Sequence, residues 1–66
     1  MQVQINGEPR EVPEGTTITA LLALLGINAP RVAVEVNTHV VTKARHAETR
    51  LAQGDRVEIV TFVGGG

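Results

Sequence analysis

Gly54-Asp55-Arg56-Val57-Glu58-Ile59-Val60-Thr61-Phe62-Val63-Gly64-Gly65-Gly66 is the stretch that sets the architecture of this chain. Gly54-Asp55 is a turn signal. The run from Arg56 to Phe62 is rich in β-branched residues, with apolar side chains at both parities: Val57 and Ile59 on one side, Val60 and Phe62 on the other. A strand apolar on both faces belongs in the middle of a sheet. The three glycines that follow cannot pack, because glycine has no side chain and is entropically the costliest residue to order. They can thread a terminal carboxylate through a narrow passage, since no Cβ would meet its walls. A frayed end is the plain alternative, and the rest of the chain weighs between the two.

Upstream of this strand, residues 43–50 are polar and predict no more than a helical turn. Val32 to Val36 reads as a strand, Asn37-Thr38 as a turn, and Val40-Val41 as the start of a short partner strand. Ile18, Leu21, Leu22 and Leu25 recur at i, i+3, i+4 and i+7, one stripe of an amphipathic helix over residues 18–25. Thr17 is placed to cap it, although Ala20 stands where a capping box would want Glu or Gln. Gly26 occupies the usual C′ position. A helix this short is unstable alone, so Leu21, Leu22 and Leu25 are expected to pack on Val3, Ile5, Val57 and Ile59. Met1, Val3 and Ile5 alternate with Gln2 and Gln4, the period of a half-buried strand. Asn6-Gly7 is a strong hairpin signal, and the return strand covers residues 8–12 with Pro9 near an edge.

The order β-β-α-β-β-β predicts an α+β domain: a mixed sheet of four to five strands with one helix across one face. Laying the last strand parallel to the first covers its edges. That arrangement is the β-grasp, or ubiquitin-like fold, expected over residues 1–63 with residues 64–66 as a tail.

With 66 residues and no cysteine, the chain makes one domain at most and depends on a single apolar core. Six Lys/Arg against seven Asp/Glu give a net charge of −1, which argues against a nucleic-acid binder. The start shows no basic segment leading into a long apolar one, and the apolar run from Ala20 to Leu25 is too short to span a bilayer. A cytoplasmic location is the expectation, with no membrane partner. No metal-ligand spacing is present, and neither a P-loop nor a catalytic triad can be assembled.

His39 and His46 could form a relay or a metal pair, but seven residues apart in a polar segment they are expected to be solvated. Asp55 reads as a turn residue. Gln2, Gln4, Arg10 and Glu58 read as solvated positions at a sheet face or edge. If Val57, Ile59 and Thr61 face the helix, then Val60 and Phe62 face away, and with Val63 they would form a docking surface beside the tail. Strand twist that turns Phe62 back into the core is the competing reading.

Ile5-Asn6-Gly7-Glu8, Thr17-Ile18 through Leu21-Leu22 to Leu25-Gly26, Val32-Ala33-Val34-Glu35-Val36-Asn37, Gly54 through Val60 and Phe62 through Gly66 together resemble the ThiS/MoaD family of ubiquitin-like sulfur carriers. The resemblance runs the whole length and lies closest to the carriers of thiamin biosynthesis. Thr38 departs from the family's frequent Asn-Gly turn, and Thr42-Lys43 stands where Pro-Arg is common.

The resemblance implies a protein that is a substrate rather than an enzyme. The Gly66 carboxylate would be adenylated by an E1-like, ThiF-like adenylyltransferase, with ATP and Mg²⁺ bound by that partner and no cofactor on this chain. A sulfur donor such as a cysteine desulfurase would convert it to a thiocarboxylate. The sulfur would then pass to a ThiG-like thiazole synthase. Gly64, Gly65 and Gly66 would thread into these partners. Two alternatives stay open: the small subunit of a molybdopterin synthase, disfavoured by the absence of proline in Thr61-Phe62-Val63, and a ubiquitin-like modifier or a sulfur carrier for another pathway.

Overall fold

In the computed structural model, which describes residues 1–62, the elements follow as β1 (Gln2–Ile5), β2 (Glu8–Glu11), α1 (Ile18–Leu24), β3 (Val32–Val36), β4 (His39–Val41), a 3₁₀ turn (Lys43–Arg45) and β5 (Arg56–Thr61). The sheet has five strands in the order β2-β1-β5-β3-β4. β5 lies at the centre, parallel to β1 through Gln4↔Arg56 and Ile5↔Val57 and antiparallel to β3 from Val32↔Thr61 to Val36↔Val57. One helix crosses one face, and the fold is a β-grasp.

Both hairpins close on two-residue turns whose central residues take φ > 0: Asn6 (50°) with Gly7 (84°), and Asn37 (51°) with Thr38 (72°). This is the type I′ pattern, whose twist matches that of the strands. A β-branched residue at φ > 0 is unusual, and Thr38 is therefore a strained position.

The core joins Val3, Val12, Ile18, Leu21, Val34, Leu51, Val57 and Ile59. Thr17 caps α1 by accepting from the Ala20 N–H at 3.1 Å. The helix ends one residue earlier than its periodicity suggests, with Leu25 as C-cap. Ile18 and Leu21 are wholly buried. Leu22 and Leu25, expected beside them in the core, are only half-buried. A seven-residue helix presents one pair of side chains to the sheet centre, and the flanking leucines fall to either margin. Val12 leaves β2 and turns inward, its N–H donating to the Met1 C=O at 2.8 Å.

His46 corrects the expectation of two solvated histidines. His39 is exposed, whereas His46 is buried. The polar segment curls beneath α1, and the His46 C=O accepts from the Thr19 N–H at 3.2 Å. Its Nε2 lies 3.0 Å from the Val41 C=O. A carbonyl can only accept, so Nε2 carries the proton in that bond. Buried Thr16 likewise donates to the Pro13 C=O at 2.6 Å.

Candidate functional site

The strand that leads into the glycines is held from both sides. Asn6, at the tip of the first hairpin, accepts from the Ile59 N–H at 2.7 Å and donates through Nδ2 to the Ile59 C=O at 3.2 Å. Its side chain thus does for Ile59 what one more residue of β1 would have done. Asn37, at the tip of the second hairpin, accepts from the Arg56 N–H at 3.0 Å and donates to Asp55 Oδ1 at 2.9 Å. The other carboxylate oxygen of Asp55 accepts from the Ala52 N–H at 2.7 Å, which confirms Asp55 as a turn residue. Left-handed asparagines thus clamp β5 at its start and near its end. Sequence reading identified both as turn formers and missed both clamps, because the partners are far along the chain: Asn6 lies 53 residues from Ile59 and Asn37 19 residues from Arg56.

β5 alternates buried and exposed. Val57 and Ile59 point into the core, while Val60 and Phe62 are each 52% exposed and Val40 on β4 is 70% exposed. Pairing puts these three on one face: Val40 lies opposite Glu35, Glu35 opposite Glu58 and Ala33 opposite Val60. The helix-free face therefore carries an apolar patch at the end of β5, bordered by Glu35 and Glu58. Phe62 is not folded back into the core; its N–H donates to the Arg31 C=O at 3.2 Å, which continues the β3 register and fixes its direction. Thr61, expected to face the helix, lies on that side but is exposed, because α1 ends short of it. Val63, Gly64, Gly65 and Gly66 fall outside the described residues.

On the helix side, a groove of about 490 Å³ opens between the first hairpin and the end of α1, with Ile5, Leu25, Ile27, Ile59 and Thr61 in its lining. A second hollow of about 320 Å³ lies beside Leu22, Lys43 and His46. Among the described residues, no three His, Cys, Asp or Glu side chains converge as a metal site would require. No described helix is long and apolar enough to cross a membrane.

Comparison with known proteins adds the lineage. The profile of the ThiS family matches residues 3–66. The chain is 44% identical over its whole length to part of a thiazole synthase of Paramagnetospirillum magneticum, spanning 20% of that protein. It is 40% identical over 65 residues to the sulfur carrier protein ThiS of Bacillus subtilis, covering 97% of this chain and 98% of that one. A crystal structure of the thiamine biosynthesis protein ThiS from Geobacter metallireducens superposes with a TM-score of 0.86 at 36% identity, covering 100% of both chains.

Proposed function

The chain belongs to the ThiS family, and on that premise we propose that it is a sulfur carrier of thiamin biosynthesis whose reactive group is the carboxylate of Gly66. The observation that carries this reading is the placement of an exposed apolar face, Val60 and Phe62, on a clamped strand directly before the glycines. A carrier needs a firm body to be recognised and a slender arm to reach into an enzyme, and the two adjoin here.

A carboxylate is a poor electrophile, so one oxygen must become part of a leaving group. An E1-like adenylyltransferase, binding ATP and Mg²⁺ itself, would join the Gly66 carboxylate to AMP with loss of pyrophosphate. A persulfide carried by a donor such as a cysteine desulfurase would displace AMP to give an acyl disulfide, and a thiol would then reduce that S–S bond, leaving a thiocarboxylate and a new disulfide on the thiol side. With no cysteine in the chain, the sulfur rides on the terminal carbonyl carbon. Glycine at positions 64–66 lets that group pass a channel too narrow for a Cβ. The body, residues 1–63, supplies recognition, and Val60, Phe62 and Val63 form the docking surface. The acceptor would be a thiazole synthase. Two thiazole synthases contain a stretch similar to this whole chain, about a fifth of each, which supports that pairing.

The test is intact mass. The chain is incubated with its adenylyltransferase, ATP and a sulfur source. The expected gain equals the difference between one sulfur and one oxygen atom, and it disappears when Gly66 is deleted or extended by a tag. The same gain in a tagged chain would place the chemistry elsewhere.

A further inference from the structure

The two asparagine clamps differ in the residue that follows them. Asn6 and Asn37 each open a two-residue turn, at φ 50° and 51°. Each ties β5 through its side-chain amide. Asn6 is followed by Gly7 and Asn37 by Thr38. That successor decides the chemistry open to the asparagine. A backbone nitrogen can attack the side-chain Cγ of an asparagine directly before it, and the obstacle is the side chain on the attacking residue. Glycine has none, whereas threonine is branched at Cβ and stiff. The third asparagine, Asn28, precedes Ala29. Asn6 and Gly7 are both exposed, and nothing lies within 4 Å of where a Cβ on Gly7 would stand. Water reaches this turn freely.

We propose that Asn6-Gly7 is a site of spontaneous covalent modification, at which Asn6 becomes aspartate or isoaspartate and its clamp on the end of β5 is cut. The Gly7 nitrogen bonds to Asn6 Cγ, the Cγ–Nδ2 bond breaks, and Nδ2 leaves as ammonia with the Gly7 N–H proton. Water then opens the cyclic imide. Opening between Cγ and the Gly7 nitrogen gives aspartate. Opening between the Asn6 main-chain carbonyl carbon and that nitrogen gives isoaspartate. Nothing is oxidised or reduced, water is the one co-reactant, and the net change is NH replaced by O. The clamp gates the first step, because Oδ1 and Nδ2 are both bonded to Ile59 and must let go before Cγ meets the Gly7 nitrogen. An exposed hairpin tip opens locally, without global unfolding.

The consequence follows from the bonds at Ile59. Aspartate has no N–H to give to the Ile59 C=O. Ionised at neutral pH, it sets a carboxylate oxygen against that carbonyl instead. Isoaspartate also lengthens the main chain within the turn, which displaces the Asn6 N–H from the Val57 C=O it reaches at 2.8 Å. Either product loosens β5 on its β1 side, where the Asn6 side chain stands in for a further residue of β1. Asn37, with Thr38 behind it, keeps its clamp. The strained threonine turn is thus also the chemically durable one.

The test ages the folded chain at mildly alkaline pH and body temperature and maps it at intervals by tryptic digestion and mass spectrometry. Asn6 and Asn37 fall in separate peptides, residues 1–10 and 32–43. The first is expected to gain the mass difference between O and NH and to split into two chromatographic species, aspartate and isoaspartate. The peptides holding Asn28 and Asn37 stay as they were. Thr38→Gly is expected to add a second site, at Asn37. Asn6→Asp, which supplies one product directly, is expected to melt about 4–8 °C below the parent, the shift of a lost hydrogen bond in a domain this small. A folded parent whose Asn6 lasts as long as its Asn37 overturns the inference. So does a Thr38→Gly chain that converts Asn6 and spares Asn37, since the successor residue would then not decide. An Asn6→Asp chain that melts with the parent overturns the cutting of the clamp.

Discussion

At the scale of single residues, backbone conformation explains more here than side-chain chemistry. Thr38 sits at φ 72°, in a turn position that suits glycine, and the departure from an Asn-Gly turn leaves local strain of roughly 1–3 kcal/mol. Thr38→Gly should relieve part of it and stabilise the domain by about 1 kcal/mol, raising Tm by roughly 4–8 °C. A thermal melt with no rise would show that the turn bears no strain. Asn37 must stay, because its side chain also holds Arg56 and Asp55. The turn role of Asn6 and Asn37 is legible from spacing alone, since Asn tolerates φ > 0. Their clamps are not, because Asn6 and Ile59 lie 53 residues apart and no local pattern joins them. The burial of His46 is hidden for the same reason: a polar segment gives no sign of which residue a helix will cover.

At the scale of elements, the short helix and the central strand were readable because their periodicities are unmixed. Their ends were not. Which leucines of α1 reach the core depends on how the helix sits on the sheet, and that places Leu21 at the centre and Leu22 at a margin. Leu51, a core residue, stands alone in a polar region and carries no periodic signal. The alternation along β5 was legible, and the exposure of Val60 and Phe62 follows from it. Burial of an exposed aromatic commonly dominates an interface, and truncating such a residue costs about 2 kcal/mol or more. Phe62→Ala should therefore weaken binding to the adenylyltransferase and the thiazole synthase by about 30-fold. The variant should melt close to the parent, since half of the side chain already faces solvent. A folded Phe62→Ala chain with full affinity would remove Phe62 from the docking surface, and an unfolded one would return it to the core.

At the scale of the whole molecule, the fold works as a mount. A five-stranded sheet places the last described strand in the middle, where neighbours on both sides and two asparagines hold it, directly ahead of the glycines in the sequence. The strand order could be anticipated because a long strand apolar on both faces has few places to go in so small a domain. The sulfur acceptor, named as a thiazole synthase by the family resemblance, is not legible from composition or periodicity, because it depends on a surface that belongs to another protein. The central claim is that sulfur travels on Gly66. The most direct measurement loads the chain with isotopically labelled sulfur as a terminal thiocarboxylate, supplies it to thiazole synthase with the remaining substrates, and follows the label by mass spectrometry. The account predicts that the label appears in the thiazole product as the carrier returns to the mass of the plain carboxylate. A labelled carrier that survives while unlabelled thiazole accumulates would contradict it.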